Sequence, residues 1–460
     1  MNTLPNLTQS VYGYIALLVF MIGYLLVLSE HKTQLAKSKP MMVAAGAIWI
    51  LVGLGYASSG QQALAGEALK HTLLEYAELF LFLLSAMTFV HIMEERHVFL
   101  ALKSWLITKH FTLRTVFWLS GFLTFVLSPI ADNLSTALLM GAVVMAVGNR
   151  SPQFIVLASI NIVVAANAGG VFSPFGDITS LMVWQKEKLE FIDFFHLILP
   201  ALISWLTPAL LMSFTLSEGP SHLMQEHHKI KKGGLGVIVL FLLTAVSAVL
   251  LHTSLELTPA LAMMTGLGVL KIYMHLITQS DPLTGVTFSR HHPNEHHQRS
   301  TQPIEDTSPI VLRFNNFTVV ERAGWDTLMF FYGVILCIGG LAALGYLNLL
   351  SNTLYGHFGE TLTHVLIGLS SALVDNIPVM YAILSIDPDL AKTQWLLVTL
   401  CIGIGGSILS IGSAAGIALM GQAKGIYTFR EHLRWSWAIL LGYVFSITTH
   451  LLLTKMLELL

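Results

Sequence analysis

The stretch VYGYIALLVFMIGYLLVLS, residues 11–29, runs nineteen residues without a charge. A helix needs roughly 20 apolar residues to cross a bilayer, and it satisfies its backbone polar groups internally while doing so. Similar stretches recur along the whole chain. That recurrence leaves one fold class, an all-α polytopic membrane protein. Composition agrees, because only 11% of the 460 residues are charged, against about 25% in an ordinary soluble domain. The net charge of −2 offers no footprint for a nucleic-acid partner. Cys337 and Cys401 both sit in apolar segments and supply neither a disulfide framework nor metal-ligand spacing. Nothing basic precedes residues 11–29 and no small-residue cleavage site follows, which predicts a retained helix and not a signal peptide.

Hydropathy predicts helices over 11–29, 41–57 and 72–93, then an amphipathic piece over 98–110. Two segments that are short for a crossing, 115–130 and 134–148, follow. A long apolar segment, 154–184, is broken by GGVFSPFGD (169–177), and a helix over 194–216 closes the half. The second half repeats the order, with helices at 235–252 and 258–277, a hydrophilic loop over about 278–325 and a helix at 327–349. A short pair within 361–386, a segment over 391–422 broken by GGSILSIG (405–412), and a last helix over 433–456 complete it. Gly169, Gly170 and Gly176 align with Gly405, Gly406 and Gly412. The expectation is two inverted repeats, 1–216 and 217–460. Each would hold a re-entrant helical hairpin (about 115–148 and 361–386) and a glycine-interrupted transmembrane helix (154–184 and 391–422). Repeats of this kind are the best sequence pointer to a transporter site. With the N-terminus outside, nineteen of the 24 Lys and Arg fall on the cytoplasmic face, as the positive-inside rule requires.

The short pairs are interrupted by SPIADNLSTA (128–137) and SALVDNIPVM (371–380), so Asp132-Asn133 and Asp375-Asn376 lie 243 residues apart in apolar surroundings. A carboxylate at membrane depth costs at least about 2.5–3.5 kcal/mol. A helix is expected to end before Pro129, and both aspartates would cap the half-helices that restart after them. A serine or asparagine would cap at lower cost, so two carboxylates point to a cation or proton site. Unwound backbone at the glycine breaks frees carbonyl oxygens that suit Na⁺ or Li⁺. Around the first break lie Asn167, Ser173, Asp177 and Thr179, and around the second Ser407, Ser410 and Ser413. Ser413 aligns with Asp177, so the two breaks differ in charge, and Asp177 reads equally well as a loop cap. The hairpins and breaks contain no basic residue, which argues against an anionic substrate. Glu78 and Asp326 are weaker candidates that read first as solvated or capping residues one or two turns into a helix. His291, His292, His296 and His297 cluster in RHHPNEHHQRS (290–300). One box of this kind falls short of a membrane di-iron oxidase, and Pro293 disfavours a helix through it, so a pH-responsive or adventitiously metal-binding loop is the expectation. No cofactor and no structural transition metal are expected.

SPIADNLSTALLMG, NAGGVFSPFGDITSLMVW, SALVDNIPVMYAIL and GGSILSIGSAAGIALMGQAKGIYTF together resemble the NhaD family of sodium/proton antiporters, within the ion transporter superfamily. AELFLFLLSAMTFVHIMEERHVF (77–99) and WDTLMFFYGVILCIGGL (325–341) extend the likeness over nearly the whole chain. The resemblance implies exchange of Na⁺ or Li⁺ for H⁺, a bacterial inner membrane, a homodimer and elevator-like movement of both hairpins. It carries ion-binding roles onto Asp132, Asn133, Asp177, Thr179, Asp375, Asn376, Ser407, Ser410 and Ser413. Dicarboxylate carriers of the superfamily have Ser-Asn-Thr at the hairpin tips, where this chain has Asp-Asn. The histidine-rich loop departs from the family pattern. An arsenite, oxyanion or carboxylate carrier of the same fold is the alternative, and a histidine-box oxidase a distant one.

Overall fold

A computed structural model describes residues 6–33, 35–108, 111–148, 151–216, 229–279 and 325–458, and it holds no β-sheet among them. The histidines at 291, 292, 296 and 297 lie outside the described residues, with the loop from 280 to 324. The first half contains α1 (Val11–Leu28), α2 (Ser38–Ser58), α3 (Gln62–Glu95), α4 (Val98–Thr108), α5 (Leu113–Ala131), α6 (Asn133–Val147), α7 (Pro152–Gly170), α8 (Ile178–Gln185) and α9 (Ile198–Ser213). The second contains α10 (Gly234–Leu255), α11 (Pro259–Gln279), α12 (Trp325–Ala343), α13 (Tyr346–Ser370), α14 (Asn376–Ile386), α15 (Lys392–Gly405), α16 (Ala414–Gln422) and α17 (Ser436–Glu458). Ten helices among the described residues are long and apolar enough to cross a membrane. α6 and α14 have 15 and 11 residues, and at about 1.5 Å per residue neither covers a hydrocarbon core of roughly 30 Å.

Burial separates axis from periphery. In α7, 94% of the apolar window is buried, against 17% in α1 and 28% in α10. α7 packs on α5 and α6, α15 on α13, α12 on α2 and α3, and α9 on α17.

The same few contacts hold both interrupted helices. Ser128 Oγ donates to the carbonyl of Ala166 at 2.6 Å, and Ser371 Oγ donates to that of Ile402 at 2.9 Å. The two serines stand four residues before Asp132 and Asp375. Gly169 packs on the carbonyl of Phe125 and Gly405 on that of Gly368, each seven residues before its aspartate. Gly170 and Gly406 lie against the carbonyls of Gly176 and Gly412. A Cβ on Gly176 or Gly412 would come within 2.7 Å of the Ser128 or Ser371 oxygen, so only glycine lets these backbones approach.

Three boundaries differ from the hydropathy reading. α3 begins at Gln62, ten residues early, because Glu67, Lys70 and His71 lower the hydropathy of a segment that is still helical. The helix placed over 327–349 ends at Ala343. Gly345, at φ 98°, turns the chain into α13, which kinks at Gly359 (φ 69°, ψ 176°). α5 passes through Pro129 and ends at Ala131. Proline has no N–H for the carbonyl four residues back, and that carbonyl, Phe125 O, is the one on which Gly169 packs.

Candidate functional site

Asp132 separates α5 from α6 with φ 54° and ψ 159°, a conformation that costs a non-glycine residue about 1–3 kcal/mol and gathers at functional sites. Its carboxylate caps α6 as expected. Oδ1 accepts from Ser135 N at 2.8 Å and Oδ2 from Ser135 Oγ at 2.7 Å. Asn133 N donates to Gly176 O at 3.1 Å, which ties the α5–α6 tip to the first break. Its Nδ2 stands 3.4 Å from Asn167 Oδ1.

Asp177 opens α8 in extended conformation, with Thr179 N 3.4 Å from Oδ1 and Thr179 Oγ1 2.8 Å from Oδ2. Asn376 Nδ2, from the other half of the chain, lies 3.5 Å from the same Oδ2. Asp375 behaves differently from Asp132. It precedes α14 but makes no side-chain cap bond, which corrects the expectation that both aspartates cap. Its Oδ1 is buried with no hydrogen-bond partner among the described residues. Asp375 N donates to Tyr24 Oη of α1 at 3.2 Å.

These residues meet in one cavity of about 280 Å³, lined by Asp132, Asn133, Asp177, Asp375 and Asn376, with Phe82, Phe175 and Leu181 among its apolar walls. Asn167 and Thr179 lie one hydrogen bond behind the lining. Ser173 turns away and donates to Pro129 O at 2.8 Å. None of Ser407, Ser410 and Ser413 lines the cavity. Ser407 Oγ donates to Ile404 O, Ser410 Oγ to Met420 Sδ, and Ser413 caps α16 through Gly416 N.

The break carbonyls are also engaged. Gly170, Ser173 and Gly176 accept from backbone N–H groups, and Val171 accepts from Ser180 Oγ at 2.8 Å. The polar groups of the motifs that line the cavity are thus the side chains of Asp132, Asn133, Asp177, Asp375 and Asn376.

Two residues outside the motifs join the lining. Glu30 and Lys37 stand in it, and Lys37 Nζ lies 4.9 Å from the centre of the Phe330 ring. The expectation that no basic residue accompanies the carboxylates held for the hairpins and breaks. It did not extend to the α1–α2 connection, which supplies Lys37. Tyr24 was missed as well. Its only signal was a tyrosine inside a helix otherwise facing lipid. Glu78 lies in the middle of α3, more than four turns in because that helix starts at Gln62, and it lines a second cavity. Asp326 sits in the first turn of α12 and accepts from Ser38 Oγ, a structural bond.

Carboxylates converging on a buried cavity between interrupted helices in a multi-span bundle define a polytopic membrane transporter. A family model described as "Citrate transporter" matches residues 16–273 and 311–403. The Na(+)/H(+) antiporter NhaD of Vibrio cholerae is 50% identical over 450 residues, 97% of this chain and 93% of that protein. NhaD of Halomonas elongata is 48% identical over 448 residues, 97% of this chain and 90% of that protein. Sodium/proton antiporter 1 of Arabidopsis thaliana is 30% identical over 427 residues, 88% of this chain and 67% of that protein. The chain belongs to the NhaD family of Na⁺/H⁺ antiporters.

Proposed function

We propose that this chain exchanges Na⁺ or Li⁺ for protons across a membrane, with Asp132, Asp177 and Asp375 holding the cation or the proton and Asn133 and Asn376 completing the oxygen set. The observation that carries this reading is the meeting of three aspartates from both halves of the chain in one cavity, with Glu30 and a single lysine beside them. Two unit charges about 6 Å apart repel by roughly 3 kcal/mol at an effective dielectric of about 20. A cation or a proton among them offsets that repulsion. Competition of the two for the same oxygens, with the site opening to one side and then the other, exchanges them. Hard carboxylate and amide oxygens suit Na⁺ and Li⁺.

The architecture that goes with this function is two inverted repeats, 1–216 and 217–460, each with a re-entrant hairpin. The paired serine and glycine contacts, at equal offsets from Asp132 and Asp375, support the repeats. The shortness of α6 and α14 supports re-entrance. The charge distribution supports an outside N-terminus. Elevator-like movement, a homodimer and a bacterial inner-membrane location follow from the family resemblance. Mass measurement of the detergent-solubilised protein tests the dimer.

The description of the matching family model favours one second reading, carboxylate transport with Lys37 as the anion's partner. One assay separates the two. Energised everted vesicles from an antiporter-deficient bacterium carry the chain or its Asp375→Asn variant, and the pH gradient is followed as Na⁺, Li⁺, K⁺ or citrate is added. Collapse by Na⁺ or Li⁺ in the parent alone supports exchange at this site. A parent silent to every cation between pH 6 and 9.5 removes the reading.

A further inference from the structure

A second cavity, of about 210 Å³, continues the line of the first along the same helices. On α3 the first is lined by Phe82 and residues beyond it, the second by Leu79 and residues before it. On α8 the boundary falls between Leu181 and Met182, on α14 between Ile377 and Tyr381, and on α12 between Phe331 and Ile335. Four helices thus line both spaces in the same order. The partition is about one helical turn thick, roughly 5 Å. It is made of side chains with almost no exposure: Leu79 2%, Phe82 1% and Leu181 1%.

The second cavity is lined by charge where the first helix turns of the path would meet water: Glu75, Glu78, His71 and Lys186. Glu75 of α3 is the hub. Its Oε2 accepts from Tyr381 Oη of α14 at 2.7 Å, and its Oε1 accepts from Lys186 Nζ just beyond α8. His71 Nδ1 stands 3.1 Å from Oε1 on the same helix. On the same face, Lys188 pairs with Asp387, and Lys392 pairs with Glu190 and Asp193 at 2.7 and 3.1 Å. Those pairs join the segment after α8 to the ends of α14 and α15. The Glu75 bonds join both α8 and α14 to α3.

We propose that the second cavity is the opposite mouth of the ion path, and that Glu75, held by Lys186 and Tyr381, is the lock that keeps this mouth shut. The ionic cargo of the path rests on the exchange reading above, whereas the lock is a statement about geometry. For the site to reach this side, α8 and α14 must part from α3 and the apolar partition must open. Parting breaks the Lys186 and Tyr381 bonds together. Glu75 then faces the cavity without its lysine, and its unpaired carboxylate is free to meet an entering cation. The group that locks the closed mouth is thus the one that attracts the cargo when it opens.

The test uses the full chain with Cys337 and Cys401 replaced by serine and Leu384→Cys as the reporter. Leu384 lines the second cavity and is 4% exposed. Labelling by a membrane-impermeant maleimide is timed in right-side-out and everted vesicles. In the locked chain it is slow. Glu75→Gln and Lys186→Gln each raise the rate by about fivefold or more, and only from the side opposite the first cavity. The exchanged pair Glu75→Lys with Lys186→Glu returns it toward the slow rate, which a merely misfolded variant would not do. Unchanged labelling in both single variants, acceleration from the side of the first cavity, or no recovery in the exchanged pair overturns the lock. A parent that moves no protons on Na⁺ addition would remove the exchange reading and leave the labelling result standing.

Discussion

Asp132 and Asp375 occupy equivalent places and yet should respond oppositely to truncation. Asp132 accepts two hydrogen bonds from Ser135, at 2.8 and 2.7 Å, and caps α6. Replacing an N-cap aspartate by alanine costs about 0.5–2 kcal/mol. Loss of the acceptor for the half-buried Ser135 hydroxyl adds about 0.5–1.5 kcal/mol, and alanine relieves nothing of the positive φ. Asp132→Ala is therefore expected to lower stability by about 1–3 kcal/mol. Asp375 caps nothing, and its Oδ1 is buried without a donor. An unsatisfied buried polar group costs about 1–3 kcal/mol, so Asp375→Ala is expected to be neutral or stabilising in the absence of cation.

The assay is denaturant unfolding of the purified protein in detergent, followed by tryptophan fluorescence, first in choline and then in Na⁺. Both variants are expected to lose exchange. In choline the midpoint of Asp132→Ala falls below the parent and that of Asp375→Ala does not. In Na⁺ at a hundred times its dissociation constant the parent gains about 2.7 kcal/mol, and Asp375→Ala gains little. If Asp375→Ala in choline loses as much as Asp132→Ala, Asp375 is a structural cap and the distinction drawn between the two carboxylates is wrong.

Ser128→Ala and Ser371→Ala each remove a side-chain bond to a break-helix carbonyl, and each should cost about 0.5–1.5 kcal/mol. Comparable losses in unfolding midpoint check the equivalence of the two sites, and a loss at one alone would end it. Lys37→Met removes the cation that shares the cavity with three aspartates, so the Na⁺ concentration for half-maximal exchange should fall severalfold as a like charge beside the cargo is lost. A rise would instead mark Lys37 as an anion ligand. Deletion of residues 288–300 should leave Na⁺-driven proton movement intact at normal expression.

What the sequence disclosed depended on how far each signal was local. Helices and breaks were legible because hydropathy and glycine pairs act within a turn or two. The Asp-Asn tips stood out because charge is rare in such surroundings. Ser128 and Ser371 sat in the quoted motifs at equal offsets, but a serine in an apolar helix is unremarkable until its carbonyl partner is known. Lys37, from the α1–α2 connection, reaches the cavity only through packing, as Tyr24 of α1 reaches Asp375. The start of α3 escaped because a helix projecting beyond the apolar zone carries Glu67, Lys70 and His71 without unwinding. Glu75 escaped because its partners Lys186 and Tyr381 are 111 and 306 residues away.

The paired contacts before Asp132 and Asp375 surround side chains that are not paired. Where the first break places Asp177, the second places Ser413, and that serine only caps its own helix. Where Ser180 Oγ holds Val171 O at the first break, side chains beyond α16 hold the carbonyls of the second. His432 Nε2 lies 2.9 Å from Ser407 O, and Ser436 Oγ donates to Ile408 O at 2.6 Å. A carbonyl can only accept, so His432 carries a proton on Nε2, and its Nδ1 lies 2.6 Å from Tyr427 Oη. The second half then contributes one carboxylate, Asp375, and one amide, Asn376, while the first contributes Asp132, Asn133 and Asp177. Both Asp-Asn tips line one cavity. Its aspartates are weighted toward the first half of the chain, two against one.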